Sequence, residues 1–302
     1  MLESIDNIIV PTDFSELSEI AVQSATVLAR EQDATIHLLH VVRLPIFHTT
    51  YDINVPQVVW DGLRDEVRVQ MDATCEGLAA AGVSRIERLI SENLQPAEFI
   101  AQHVRALEAD LVVMATHGRR GLAHAFLGSV AEETLRTCPA PVVAIKGQGI
   151  ADEGVRRILV PLDFSVHSQK AMELAISVAK RFDASVDLIH VLDEAPDYAI
   201  RLSPRIAEFE AQARETCDER LQSAKDEVGE AGVQVRSHLQ QGFPPEVIAE
   251  KAASDGADLI VMGTHGYRGF ARVALGSVAE RTLRLAPCSV LTTYAEKDGA
   301  GA

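Results

Sequence analysis

The chain has 302 residues, of which 47% are hydrophobic, and it carries a formal net charge of −16. This length is sufficient for two ordinary domains, each with its own core. The negative charge argues against nucleic acid or an anionic membrane as a partner, because both would be repelled across most of the surface. No apolar run approaches the roughly 20 residues that span a bilayer. We therefore expect a soluble, cytoplasmic protein.

Cysteine usage gives no sign of a metal site or of a shared disulfide framework. The four cysteines form no C-x-x-C pair and do not recur at equivalent positions; they are Cys75, Cys138, Cys217 and Cys288. Reduced thiols are the expectation. Cys138 and Cys288 each stand next to a proline, and they are candidates for a reactivity test.

The beginning of each half of the chain carries the same pattern. Residues 7–42 and 157–192 align without a gap and share 15 of 36 residues. Both segments predict a strand, a helix and a second strand, because apolar runs flank a stretch with apolar residues at helical spacing. Ser15 and Ser165 stand at the predicted N-caps of the helices. The repetition divides the chain into two tandem domains.

The middle of each half predicts a long helix, an edge strand and a shorter helix. The long helices, at about 57–81 and 205–230, follow loops that contain proline, and Gly82 and Gly232 end them. The strands that follow alternate apolar and polar residues, which is typical of a strand near a sheet edge. A proline in the first turn marks the start of each shorter helix.

The strongest repetition is residues 110–137 against 258–285, which share 19 of 28 residues. Each copy begins as a buried parallel strand and continues into a loop that contains glycines. The loop ends in Gly-Ser and opens a helix. The helix N-terminus offers unpaired N–H groups and the positive end of the helix dipole, both of which suit a phosphate. A plain strand-to-helix turn, with the serine as the helix cap, is the alternative.

The spacing of the loop glycines narrows the ligand class. The loops read Ala115-x-x-Gly118, nine residues, Gly128-Ser129 in the first copy and Gly263-x-x-Gly266, nine residues, Gly276-Ser277 in the second. This spacing matches neither the dinucleotide fingerprint G-x-G-x-x-G nor the Walker A motif with its lysine. Dinucleotide and P-loop readings therefore lose support.

A G-x-x-G, nine-residue, G-S/T loop after a parallel strand resembles the nucleotide loop of the ATP-binding universal stress proteins. The likeness extends to VPTDFS at 10–15 and VPLDFS at 160–165, so that it covers nearly the whole chain. It implies an α/β fold of two tandem open parallel-sheet domains, residues 1–147 and 155–296. Helices would cover both faces, with the strand order 3-2-1-4-5 of adenine nucleotide α-hydrolase-like proteins.

The resemblance implies a nucleotide site in each repeat, between the first and fourth strands, where the winding of the sheet reverses. The Asp after the first strand and the residue at the end of the second strand would line the adenosine pocket. The candidate residues of the first site are Asp13, Val41, Ala115, Gly118, Gly128, Ser129 and Val130. Those of the second site are Asp163, Val191, Gly263, Gly266, Gly276, Ser277 and Val278.

Some of these residues also fit purely structural roles. Asp13 and Asp163 could close a turn or cap a helix, and Val41 and Val191 could belong to the core. The same choice between a phosphate contact and a structural or solvated role applies to His117, His265, Arg120 and Arg268. For His40 and His190 a structural role is expected.

The loop motifs contain no lysine, and no nucleophile–base pair is visible in the sequence. The expected function is therefore a binding module that senses or stores ATP, with Mg²⁺ arriving on the phosphates rather than in a protein cage. Slow hydrolysis is expected at most as a side activity. The alternatives are an ATP-hydrolysing enzyme and a nucleotide-free scaffold that acts through an unidentified protein partner.

The resemblance also implies how the repeats associate, since single-repeat members of the family form pairs. An internal pseudo-dimer is expected, with the fifth strands at 142–145 and 290–294 in contact, because each would otherwise leave a sheet edge unpaired. A homodimer of whole chains is a further expectation.

Ala115 is the one departure from the family loop. Its methyl group would narrow the pocket, or strain the backbone if the position needs a positive φ; if the methyl points away, nothing is lost. We expect both repeats to bind ATP, and the first to bind it more weakly.

Overall fold

The computed structural model describes residues 5–42, 56–92, 95–116, 127–192, 205–264 and 275–293. The first repeat contains β1 (Asn7–Pro11), α1 (Glu16–Arg30), β2 (Thr35–Val41), α2 (Gln57–Ala80), β3 (Arg85–Ser91), α3 (Pro96–Ala106), β4 (Leu111–Ala115), α4 (Ser129–Thr137) and β5 (Val142–Ile145). The second contains β6 (Arg157–Pro161), α5 (Val166–Phe182), β7 (Ser185–Leu192), α6 (Arg205–Glu230), β8 (Val235–Gln241), α7 (Pro244–Asp255), β9 (Leu259–Gly263), α8 (Ser277–Leu285) and β10 (Ser289–Thr293). The predicted alternation of strands and helices is confirmed.

Local sequence signals set the helix ends. The amide of Ser18 donates to the hydroxyl of Ser15 at 3.3 Å and caps α1, and Ser168 donates to Ser165 at 3.2 Å in the same way at α5. Each cap satisfies an N–H group that has no partner within its helix. Two glycines follow the ends of α2 and α6 with positive φ values, as predicted: Gly82 at 93° and Gly232 at 82°.

The ten strands of the described residues lie in one sheet, in the order β3-β2-β1-β4-β5-β10-β9-β6-β7-β8. Each repeat has the predicted order 3-2-1-4-5, and its strands run parallel. The two sheets are not separate, however, because β5 and β10 pair antiparallel, with Leu291 opposite Val143. This pairing has a physical reason, because it provides hydrogen-bond partners for the backbone groups of two strand edges that would otherwise be unpaired.

Helices cover the sheet on both faces and divide the core in two. Ile8 and Val10 of β1 belong to the cluster under α1, α2, α5 and α6, whereas Ile9 belongs to the cluster under α3, α4, α7 and α8. Successive strand residues thus serve opposite faces. Among the helices in the described ranges, none is long and apolar enough to cross a bilayer.

Lys146, directly after β5, fastens the first repeat to the second. Its ammonium group donates to the carbonyl oxygens of Leu283 and Arg284, at 2.8 and 2.9 Å, at the C-terminal end of α8. A cation at this end of a helix is favourable, because it meets carbonyl groups that have no partner within the helix. Burial lowers the pKa of Lys146.

The connector between the repeats is packed rather than loose. Ile150 is buried, and its amide donates to the hydroxyl of Ser24 on α1 at 3.0 Å. Gly149 has a φ of 76°, and a Cβ built on it would clash with the same hydroxyl oxygen. Glycine is therefore required at this position for close approach as well as for backbone conformation.

Residues 1–148 expressed alone should form a dimer, because β5 would lose its antiparallel partner and expose a free edge and apolar surface. Light scattering checks the expectation. A stable, soluble monomer of this half would contradict it.

An ion-pair network around a buried carboxylate anchors the edge strand β8. Asp187 of β7 is 1% exposed, and it accepts two hydrogen bonds from the guanidinium of Arg236, both at 2.8 Å, and one from His238 at 3.0 Å. Burial raises the pKa of Asp187, but the hydrogen bonds and charges of Arg236 and His238 outweigh this effect, so the pKa lies below its usual value. The first repeat has His37 at the equivalent position.

Asp187→Asn should lower the free energy of unfolding at pH 7 by about 1–3 kcal/mol, because it removes the acceptor charge from buried hydrogen bonds. A carboxylate with a lowered folded-state pKa stabilises the fold above its unfolded pKa of about 3.9, and this contribution is lost as the pH falls through the folded value. Urea unfolding of the wild type and the variant at pH 7, 5 and 3 checks that the stabilisation by Asp187 decreases as the pH falls. A difference between wild type and variant that stays constant down to pH 3 would contradict it.

Cys138 and Cys288 should react slowly with iodoacetamide at pH 7. Burial raises the pKa of Cys138 to about 11 and that of Cys288 to about 12, so that little of either thiol is ionised. Mass spectrometry of alkylated peptides gives the rates, with the urea-unfolded protein as the control. Fast labelling of either thiol in the folded protein would contradict the raised pKa of that thiol.

Candidate functional site

Each phosphate-type loop is closed at its base by a hydrogen bond between its two ends. The amide of Gly128 donates to the carbonyl oxygen of Thr116 at 2.7 Å, and Gly276 donates to Thr264 at 2.8 Å. The amide of Thr116 is itself bonded to the carbonyl of Ile145 in β5 at 3.3 Å. These contacts hold the start of α4 and of α8 beside the end of the preceding strand. The candidates Gly118 and Gly266 lie outside the described residues, as do His117, His265, Arg120 and Arg268.

The two helices that follow the loops begin without a side-chain cap. Gly128 and Gly276 are the N-cap residues, and neither cap has a side-chain hydrogen bond. Ser129 and Ser277 are instead the first helical residues, and both are exposed. The prediction that these serines could cap the helices is therefore wrong, because glycine occupies the cap position. The first-turn amides, including those of Val130 and Val278, face the end of the helix where an anion is favoured.

Asp13 and Asp163 follow β1 and β6, and each carboxylate closes a tight turn. Asp13 accepts the amide of Ser15 at 3.1 Å. Asp163 accepts both the amide of Ser165, at 3.0 Å, and its hydroxyl, at 2.6 Å. The turn role that the sequence left open is thus present in both repeats. It fixes the orientation of each carboxylate at the end of its strand.

The residues between these aspartates and serines have an unusual backbone. Phe14 and Phe164 both have a φ of 60°, which is uncommon for a bulky residue and is typical of functional sites. Each ring contacts a histidine ring at the end of the next strand, with centroids 4.5 Å apart for His40 and 4.6 Å for His190. The sequence shows no signal for the strain beyond the recurrence of Asp-Phe-Ser.

His40 and His190 have the structural role expected of them. Nδ1 of His40 donates to the carbonyl oxygen of Thr12 at 2.8 Å, and Nδ1 of His190 donates to that of Leu162 at 2.6 Å. Both bonds tie the end of the second strand of a repeat to the end of the first. Val41 and Val191, the next residues, are partly exposed and pack against the second core cluster.

Ala115 and Gly263 end β4 and β9, and the structure decides between the roles considered for them. Neither residue has a positive φ, so the strain explanation for Ala115 is wrong. The side chain of Ala115 packs against the first core cluster. At Gly263, a built Cβ would lie 2.8 Å from the Cβ of His167 and 3.0 Å from its carbonyl carbon. Glycine at 263 thus allows α5 to approach β9 closely.

The topology brings these residues together in each repeat. β1 pairs in parallel with β4, and β6 with β9, with Ile8 opposite Leu111 and Ile158 opposite Leu259. Asp13 therefore follows the strand next to the one that leads into the first loop, and Asp163 has the same relation to the second. Such a crevice, at the carboxyl ends of adjacent parallel strands where the winding reverses, is the usual ligand position in open α/β sheets. The fold and these two crevices define a tandem α/β protein with one candidate anion-binding site in each repeat.

Comparison with known proteins identifies the family. The model of the universal stress protein family matches residues 4–146 and again residues 154–293. A universal stress protein of Methanocaldococcus jannaschii is 37% identical over 142 residues, which cover 47% of this chain and 84% of that protein. A putative universal stress protein of Staphylococcus epidermidis is 35% identical over 144 residues, which cover 47% and 86%. The chain therefore belongs to the universal stress protein family, and it carries the family domain twice.

Solved structures agree with the fold. The crystal structure of a universal stress protein from Archaeoglobus fulgidus superimposes with a TM-score of 0.74 over 98% of both chains, at 22% sequence identity. A putative universal stress protein from Pseudomonas aeruginosa gives a TM-score of 0.64 over 97% of this chain and 94% of that one, at 19% identity. At these identities the likeness concerns the fold alone.

Proposed function

We propose that this universal stress protein binds ATP in each of its two crevices and serves as a nucleotide-dependent module in the stress response. The observation that carries the proposal is the closed loop base, in which Gly128 bonds to Thr116 and Gly276 to Thr264. It sets the N-terminus of a helix beside a strand end that is adjacent to an oriented aspartate. The same arrangement recurs in both repeats.

Local geometry has to hold the nucleotide, because the net charge of −16 repels an anion at long range. Backbone amides at a helix N-terminus meet this need, since they supply donors and a partial positive charge without a basic side chain. Mg²⁺ would neutralise much of the phosphate charge and would be carried on the phosphates, as it prefers to keep several waters. The aspartates would then contact the nucleoside rather than the phosphates.

Binding rather than turnover is the function that this arrangement favours. The aspartates that face the crevices are held by the turns that follow them, and the loop ends contribute backbone groups. Backbone groups orient a ligand but do not transfer protons, and we expect the aspartates to contact the nucleoside rather than to act as general bases. Hydrolysis would be slow, below about 0.1 s⁻¹, whereas most enzymes turn over faster than about 1 s⁻¹. A measured ATP turnover in that faster range would establish the enzymatic alternative instead.

Native mass spectrometry of the gently purified, undialysed protein tests the proposal most directly. We expect mass increments of one and two adenine nucleotides per chain, and calorimetry on the emptied protein should then show ATP binding. A protein that carries no nucleotide and gives no heat with Mg-ATP would contradict the proposal. That result would favour a scaffold that acts through protein contacts.

A further inference from the structure

The two outer edges of the sheet differ, and the second repeat has a groove beside its edge strand. The groove runs between α6 and the edge strand β8 and has a volume of about 600 Å³. Its lining residues are Asp218, Glu219, Leu221, Gln222, Ser223, Asp226, Ser237 and Leu239. Ser237 and Leu239 belong to β8, and the other residues belong to α6. The floor is therefore formed partly by a strand at the end of the sheet.

The first repeat shows how the same place can be closed. Arg88 of the edge strand β3 reaches across to Asp72 of α2 and forms an ion pair with it. Arg88 lies opposite Leu38 of β2, and Ser237 lies opposite the equivalent residue Leu188 of β7, so Ser237 takes the place of Arg88. Met71 of α2 and Leu221 of α6 are the equivalent buried residues of the two helices. Gln222 therefore takes the place of Asp72. Serine is too short and uncharged to form this bridge, and glutamine carries no charge and instead donates to Asp226 at 2.8 Å. The groove in the second repeat is thus open because its closing pair is missing.

The sign of the charge also differs between the two places. Asp218 stands where the first repeat has Arg68, which is paired with Asp65. Asp218, Glu219 and Asp226 supply three carboxylates to the groove, and none forms an ion pair with another described residue. The lining includes no lysine, arginine or histidine. An occupant of this groove would therefore be positively charged.

β8 can offer backbone hydrogen bonds to such an occupant. It has seven residues and, within the described part of the chain, pairs with β7 alone. An unpaired strand edge is a template for another extended segment. Arg236 and His238 hold β8 to the buried carboxylate of Asp187 from the opposite face, so that the strand is anchored before any partner arrives.

We propose that the β8 edge and the α6 groove form a docking site for an extended, basic segment of a partner protein, which adds a strand to the sheet. Strand side chains alternate in direction, so lysine or arginine at every second position would meet Asp218, Glu219 and Asp226. The residues between them would face away from α6. This surface is independent of the proposed nucleotide sites, which lie at the carboxyl ends of the inner strands.

A labelled peptide of about ten residues that alternates lysine and threonine is a suitable probe, since it can span one strand. Fluorescence anisotropy on the full chain should show binding that weakens with salt, and hydrogen exchange of the amides at 235–241 should slow. Two comparison peptides separate the sources of affinity. A peptide with glutamate in place of lysine and a lysine peptide with methylated backbone amides should each bind at least about tenfold more weakly, which is 1.4 kcal/mol.

Two variants and a matched control test the location. Ser237→Arg with Gln222→Asp imports the closing pair of the first repeat, and Asp218→Arg reverses a charge on the exposed face of α6; each should weaken peptide binding at least about tenfold. Glu153→Arg makes the same change of charge on the exposed connector and should leave binding unaltered. Asp218→Arg lies on the helix surface and keeps the test valid if the double variant does not fold.

The proposal fails if the peptide does not bind, or if neither variant weakens its binding. It also fails if Glu153→Arg weakens binding equally, because attraction to the overall negative charge would then suffice. Light scattering tests the remaining possible occupant of the groove, which is a second copy of the chain. Self-association of the wild-type chain that disappears in the Ser237→Arg, Gln222→Asp variant would assign the edge to a second copy of the chain and overturn the proposal.

Discussion

Replacing Gly128 and Gly276 together with valine should abolish detectable ATP binding while the fold stays intact. Both glycines are N-cap residues with extended backbone, at φ −64° and ψ 144° and at φ −60° and ψ 141°, a conformation that valine adopts readily. The branched side chain would, however, occupy the space in front of the helix amides that a phosphate must approach. We expect a loss of more than about a hundredfold in affinity, or about 2.8 kcal/mol.

Calorimetry measures the affinity, and circular dichroism confirms the fold. Gly62→Val with Gly77→Val is the matched control, because both glycines lie in α2 and a Cβ built on either meets no atom within 4 Å. The single variants Gly128→Val and Gly276→Val should each remove one of two sites. Unaltered ATP binding in the doubly substituted, folded protein would show that the helix N-termini do not hold the phosphates.

Gly263→Ala should destabilise the second repeat by about 1–3 kcal/mol, the usual range for overpacking. The added methyl would stand 2.8 Å from the Cβ of His167, 3.0 Å from its carbonyl carbon and 3.1 Å from its carbonyl oxygen. Relief would require α5 to move, since two of the three atoms belong to the backbone. Alanine otherwise favours folding by about 0.4–1 kcal/mol over glycine, and this gain is too small to offset the clash.

Urea unfolding measures the free energy of unfolding of each variant. Two further variants test whether the clash with α5 causes the destabilisation. His167→Ala should not restore stability to Gly263→Ala, because the closest atoms remain in alanine. Ala115→Gly in the first repeat should cost about 1 kcal/mol through a lost methyl contact and a more flexible unfolded chain, and should change ATP affinity less than about threefold. Full rescue by His167→Ala, or a Gly263→Ala protein as stable as the wild type, would contradict the packing explanation.

The sequence by itself determined the repeat, the order of elements and the class of fold. Apolar periodicity and the recurrence of 110–137 at 258–285 are local properties, and local propensities set strands, helices and caps such as that of Ser15. The glycine spacing of the loops was sufficient to predict the family. Asp13 and Asp163 could be proposed as candidate site residues from the family resemblance, because parallel topology fixes which strand ends meet.

The tertiary structure alone decided how neighbouring elements fit. The role of Gly263 depends on its distance to His167, which is far from it in the chain. The residues around Gly263 are nearly the same as those around Ala115, so the sequence alone does not reveal this role. The serines after Gly128 and Gly276 looked like caps, yet each helix begins at the serine itself, one residue earlier than a serine cap requires. The open groove beside β8 arises because Ser237 and Gln222 replace a charged pair that spans a strand and a helix. Such contacts join residues that are distant in sequence, and no local pattern encodes the distance between them.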